Sequence, residues 1–323
     1  MPATPEAHSV RYFALLYSPA SQRLVLDALF GIESEIFESL RPGLDHHVAH
    51  SRLQWWREEC ERCAQGRPVH PLTRELVRAY GGLTVNARHE AIAATRGESG
   101  SHGDAADANG ARSNGAAAHG GGRATPGAAS PLAGIMGFAD AAVWDLAGAT
   151  FETRRELTAY CERWAAAMVE PIAVHAAAAG SQPDQSRWCA LGAALREVEL
   201  LADLAPEAHS GRLRVPLDEL ERVGMDPASV AKPPWPAGMA TLLRERHEAL
   251  RAAITENASG VEPHEQANFR GLLVWAALAR QLSWRVQRAL PNAIAPRRYH
   301  TLADGWQAWR AARHAVTGNF RLN

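Results

Sequence analysis

Asp203 and Glu207 stand four residues apart, a spacing that sets two carboxylates one turn from each other on a helix face. Two such groups can share a hard cation such as Mg²⁺, which keeps part of its water shell and takes diphosphate oxygens as further ligands. By spacing alone the pair fits a solvated polar helix end better, because carboxylates at this spacing are common on helix surfaces. Cys60 and Cys63 form a C-x-x-C, a spacing that half a zinc site or a redox pair would use. No second pair at metal spacing follows, and Arg57-Glu-Glu-Cys-Glu-Arg-Cys reads as a charged helix. His46 and His50 are also four apart, beside His47, and suit a metal pair or an exposed helix start.

These residues need elements to carry them, and the chain supplies helices throughout. Arg11 to Tyr17 reads as a short apolar helix stopped by Ser18-Pro19, which restarts a second one with Ser18 as N-cap and Pro19 in its first turn. Leu24, Ala28, Leu29, Ile32, Ile36 and Leu40 give that helix its buried stripe, and Arg41-Pro42-Gly43 ends it. A third helix runs from about Leu44 to Ala64 with Val48, Leu53, Trp56 and Cys60 inward, and a fourth starts at Pro71 and stops at Gly81-Gly82. Thr153-Arg-Arg-Glu156 has the form of a capping box and opens a long helix through Tyr160, Trp164 and Met168 that Pro171 can kink. Trp188, Leu191, Leu195 and Val198 recur at helical spacing and lead into Asp203. Pro206 falls between the two acids and disfavours a regular helix there. After the stiff Lys232-Pro-Pro-Trp-Pro236, helices are expected over about 238–258, 263–290 and 302–316, the last capped by Thr301. Nothing alternates convincingly with period two, so the fold is all-α.

Bulk numbers exclude more than they select. The 323 residues carry a formal net charge of -1, a balance that gives no footprint for nucleic acid. The basic residues are arginines apart from Lys232. Four cysteines without a disulfide-like framework fit a reducing cytosol. Residues 97–130 hold 9 Gly and 10 Ala and no Leu, Ile, Val, Met or aromatic residue, a composition that marks a disordered insertion. Residues 1–10 and 317–323 read as tails, leaving 11–96 and 131–316 as one helical domain. No signal peptide and no apolar run long enough to span a bilayer are seen, so the expected place is cytoplasmic, with contact at the inner face of a membrane left open.

Several stretches together resemble the squalene/phytoene synthase family. Arg11-Tyr-Phe-Ala-Leu-Leu-Tyr-Ser-Pro19 with Leu26-Asp-Ala-Leu-Phe30 is similar to its opening. Leu53-Gln-Trp-Trp-Arg-Glu-Glu59 with Gly66-Arg-Pro-Val-His-Pro71 looks like its W-R-x-E…G-x-P-x-H-P signature, in which His70 is structural. Asp145-Leu, Phe151, Thr153, Glu156-Leu and Tyr160-Cys161 follow its D-L…Y-x-T-x-x-E-L…Y-C string. Asp203 and Glu207, then Gly211, Arg212 and Pro216, fall on its second Asp-rich motif, N-x-x-R-D-x-x-x-D…R-G-R-x-Y-L-P, with Glu199, Ala202 and Arg214 at the Asn, Arg and Tyr positions. The likeness covers roughly 10–96 and 131–225.

The resemblance implies a single-domain isoprenoid-synthase-type helical bundle around a central apolar pocket. Members join two prenyl diphosphates head to head, with two Asp-rich motifs holding Mg²⁺ on the diphosphates. That metal neutralises the leaving charge as the C–O bond ionises. Here the first motif, D-D-x-x-D in the family, reads Phe37, Glu38 and Arg41. Carried over residue by residue, the metal ligands would be Asp203, Glu207 and Glu38. The diphosphate contacts would be Arg41, Arg57 and Arg212, and the pocket lining Phe37, Tyr160 and Trp164. An aromatic and a cation thus replace acids in the first motif, and Trp164 narrows the pocket. This pattern points to a diverged member that binds an isoprenoid or its diphosphate, with lost or impaired catalysis. Its role would be binding or assembly with a protein partner, as in the branch containing the mitochondrial complex I assembly factor. The alternative is an active Mg²⁺-dependent prenyl transferase; a third is a hydrolase or cyclase acting on one prenyl diphosphate.

Overall fold

Helix α2 (Ala20–Phe37) is largely buried beyond its first turn, with Val25, Leu26, Ala28, Leu29, Ile32 and Ile36 shielded from water. A helix whose later turns are apolar on most faces belongs in a core. The computed structural model describes residues 9–41, 44–81, 132–177, 183–294 and 302–322, and every regular element in them is helical. In chain order the rest are α1 (Val10–Tyr17), α3 (His46–Ala64), α4 (71–81), α5 (Met136–Leu146), α6 (Arg154–Ala176), α7 (Gln185–Ala202), α8 (Leu204–His209), α9 (Leu217–Arg222), α10 (Ala237–Ser259), α11 (Arg270–Ala289) and α12 (Leu302–Val316). The expected insertion over 97–130, the start of the N-terminal tail and the Thr301 cap lie outside the described residues.

Three helices make the wall that matters most. α6 packs along α7 on one side and α5 on the other. Gly137 lets α5 approach so closely that a Cβ there would collide with the backbone carbonyl of Arg163. α11 closes the bundle against α1, α7, α10 and α12. Its Leu273, Val274, Trp275, Ala276 and Leu278 are sealed from solvent.

Several local expectations are corrected. Ser18 does not cap α2: its hydroxyl donates to the Ala14 carbonyl at 2.8 Å, closing α1, and Pro19 takes the N-cap position. Leu24 is 63% exposed and Val48 46% exposed, because the buried faces run through Val25 and Ala49, one position further on. The expected capping box at α6 does not form. Glu156 accepts from the Glu152 amide at 2.7 Å, while the Thr153 side chain makes no capping bond. α11 begins at Arg270, since 263–269 form turns. Beyond α12 the chain stays packed. Phe320 is buried, its amide donating to Gln266 Oε1 at 2.8 Å.

The W-R-x-E…H-P stretch gains a physical meaning. Glu59 is wholly buried and accepts from the amides of Val69 and His70, both at 2.8 Å, and from Arg62 Nε at 2.9 Å. Its carboxylate therefore ties α3 to the start of α4. His70 packs edge-on against Trp56, with ring centroids 4.9 Å apart.

Candidate functional site

α7 stops at Ala202, and the cause is one turn further on. Pro206 has no N–H to give the Ala202 carbonyl, so Asp203 turns out of the helix (φ -100°, ψ 16°) and α8 starts afresh at Leu204. Asp203 and Glu207 are thereby separated into a junction and a short helix. Gly211, at φ +84°, then turns the chain back, as glycine does at little steric cost. Arg212 and Arg214 return over α8.

Both arginines close on Glu207. Arg212 donates to its two oxygens at 2.8 and 3.0 Å, and Arg214 donates to Oε2 at 2.9 and 3.1 Å. Arg214 also reaches Asp145 on α5 at 2.7 Å, and both of those side chains are buried. Tyr160 donates to the other Asp145 oxygen at 3.2 Å, with the Arg214 guanidinium 5.5 Å over its ring. Burial alone would raise the Glu207 pKa, but the hydrogen bonds and charges of Arg212 and Arg214 outweigh it and hold it below the usual carboxylate range.

A second cluster fills the interior between α1, α2, α6 and α7. Arg11 pairs with Glu33, and with Glu199 at 2.8 Å. Glu33 also accepts from Trp164 Nε1 at 2.7 Å, and Arg196 reaches Glu199 at 3.2 Å. The Arg11 guanidinium lies 5.6 Å from the Trp164 ring and 5.7 Å from that of Trp275. Arg196 lies 5.4 Å from Trp164 and 5.8 Å from Phe37. Burial opposes the charges of Arg11 and Glu199, yet their mutual attraction keeps Arg11 raised and Glu199 lowered. Two arginines and two glutamates balance there.

The sequence-derived site residues thus separate into groups. Glu207, Arg212 and Tyr160 come together around Arg214, while Phe37 and Trp164 meet at Arg196. Glu38 leaves α2 in a 3-10 turn and faces water, 3.7 Å from Arg41, with side chains 57% and 69% exposed. Arg57 pairs with Asp140 of α5 at 3.2 Å. Where the resemblance implies a prenyl pocket, Tyr160, Trp164 and Trp275 stand fully buried beside the Arg–Glu cluster. A cavity of about 500 Å³ lies elsewhere, between the end of α2 and α3, and opens outward past Glu35, His47 and Trp55. Cys60 and Cys63 are buried thiols whose pKa burial pushes up, that of Cys63 to about 12. His46 and His50 stack edge-on at the exposed start of α3, with centroids 4.9 Å apart.

A magnesium ion does not fit this donor set. Both oxygens of Glu207 already face guanidinium groups, which repel a second cation. Among the described residues no group of three or more His, Cys, Asp or Glu side chains is placed to hold a metal ion. Arg11, Glu33, Arg196 and Arg214 were not singled out as site residues by spacing. The one available signal was charge embedded in apolar helix faces, as in Leu195-Arg196 and Ile32-Glu33.

Comparison with known proteins agrees with the fold. The family model for squalene/phytoene synthase matches residues 104–304. No curated protein matches the chain by sequence. Among solved structures, a dehydrosqualene synthase in complex with ligand is similar at a TM-score of 0.65 and 12% identity, covering 94% of this chain and 91% of that one. The squalene synthase HpnC from Alicyclobacillus acidocaldarius is similar at 0.59 and 13% identity, covering 87% and 89%.

Proposed function

Since the chain belongs to the squalene/phytoene synthase family, we propose that it is a diverged member in which arginines stand where magnesium would, serving in a binding or assembly role. One observation carries this reading: Glu207, on the second acidic position of the Asp-rich motif, is engaged on both oxygens by Arg212 and Arg214. Ionising a prenyl diphosphate requires metal charge on the leaving group, and a carboxylate committed to two permanent cations has none to offer a metal. Phe37 and Arg41 at the first motif act in the same direction.

An isoprenoid or its diphosphate remains the ligand class of this reading, on the terms the interior sets. A prenyl chain would lie against Trp164 and Trp275, and a diphosphate would compete with Glu199 for Arg11 and Arg196. A protein partner is the other occupant consistent with an assembly role. The test is to incubate the purified chain with farnesyl or geranylgeranyl diphosphate and Mg²⁺. Pyrophosphate release at the level of a protein-free control is expected. Rapid release with squalene or phytoene formed overturns the reading in favour of an active prenyl transferase.

A further inference from the structure

Helix α12 is built inside out. It presents Ala308, Ala311, Ala312 and Ala315 to the core and turns its large residues, Trp306, Trp309, Leu302 and Val316, to water. Leu302 is 96% exposed, Trp306 56% and Trp309 46%. The neighbouring α11, which packs along α12, adds Trp284 at 48% exposure. Each tryptophan carries an arginine from the next turn over its ring. Arg288 lies 4.5 Å from Trp284, Arg310 lies 5.5 Å from Trp306, and Arg313 lies 5.4 Å from Trp309.

Charge on these two helices is equally one-sided. Together they hold six arginines and one carboxylate, Asp304, although the whole chain has a formal net charge of -1. Asp304 is buried and bound to Arg285 at 2.7 and 3.0 Å. The outward face therefore shows Arg288, Arg310 and Arg313 with no acid from either helix to balance them. Tryptophan concentrates where water gives way to acyl chains, and arginine beside it reaches lipid phosphates. No described helix is long and apolar enough to cross a membrane, so such a contact lies at the surface.

We infer that the outer face of α11 and α12 docks on an anionic lipid bilayer. Trp284, Trp306 and Trp309 enter the headgroup boundary, and Arg288, Arg310 and Arg313 pair with phosphates. This does not depend on the state of the interior site. The occupant is chosen by complementarity: a cationic, aromatic face matches a surface of negative headgroups over hydrocarbon.

The test is flotation of the full chain with vesicles of phosphatidylcholine alone and of phosphatidylcholine mixed with phosphatidylglycerol. Binding to the mixed vesicles, reversed by salt, is expected, with quenching of tryptophan fluorescence by brominated acyl chains. Arg310→Gln with Arg313→Gln should weaken binding about thirty-fold, and Trp306→Ser with Trp309→Ser by about tenfold or more. Trp284→Ser with Arg288→Gln supplies an independent pair on α11, and thermal melts confirm that each variant folds. Absence of flotation with anionic vesicles overturns the inference, as does flotation unchanged in all three variants. A dimer broken by the same substitutions, with no flotation, assigns the face to a second copy instead.

Discussion

Arginine does opposite work in the interior and on the surface of this molecule. In the interior, Arg11, Arg196 and Arg214 are matched by Glu33, Glu199, Asp145 and Glu207, and their charge is spent within the fold. On α11 and α12, Arg288, Arg310 and Arg313 lie over exposed tryptophans with their charge still turned outward. The contrast separates two meanings of one residue type. A buried cation with carboxylate partners is neutralised inside the fold, whereas an exposed one beside aromatics keeps its charge turned to the solvent.

The contrast breaks most visibly at Arg214. Arg214→Met leaves Asp145 and Glu207 short of their buried partner, and denaturant unfolding should show a loss of about 4 kcal/mol. A loss below about 1 kcal/mol would mean that the cluster is solvated in practice. Next in size is a pH effect centred on α10. Burial and Arg251 depress the His247 pKa to about 4, and its Nδ1 lies 3.0 Å from Ser283 Oγ. Because the folded value lies below the unfolded one, about 6.5, this contribution is complete above that pH. It is lost as pH falls toward 4, by about 3 kcal/mol in all. His247→Leu should flatten that part of the stability profile; an unchanged slope would assign it elsewhere. The smallest effects belong to exposed charges. Arg41→Ala, which removes the surface pair with Glu38, and Arg310→Gln should each shift stability by less than about 1 kcal/mol, measured in the same unfolding experiment.

Much of the bundle was legible because helix stops are local chemistry. Arg41-Pro42-Gly43, Gly66-Arg-Pro68 and Pro236 mark boundaries that the structure keeps to within a few residues. Leu24 and Val48 were misplaced because a one-residue step turns a helix by about 100°, and the buried faces run through Val25 and Ala49 instead. The interior site was less legible still. Arg11 and Glu199 are 188 positions apart, and no spacing rule links them. The Pro206 break was visible in advance, but not that Arg214, at the family's Tyr position, would turn back onto Glu207 and Asp145. That contact is made by a glycine turn and a neighbouring helix.

The decisive measurement is calorimetric titration of a non-hydrolysable geranylgeranyl diphosphate analogue into the protein, with and without Mg²⁺. If arginines have taken the metal's place, the isotherm is the same in both conditions, whatever its affinity. Binding that appears only with Mg²⁺ and disappears in Glu207→Gln would contradict that claim.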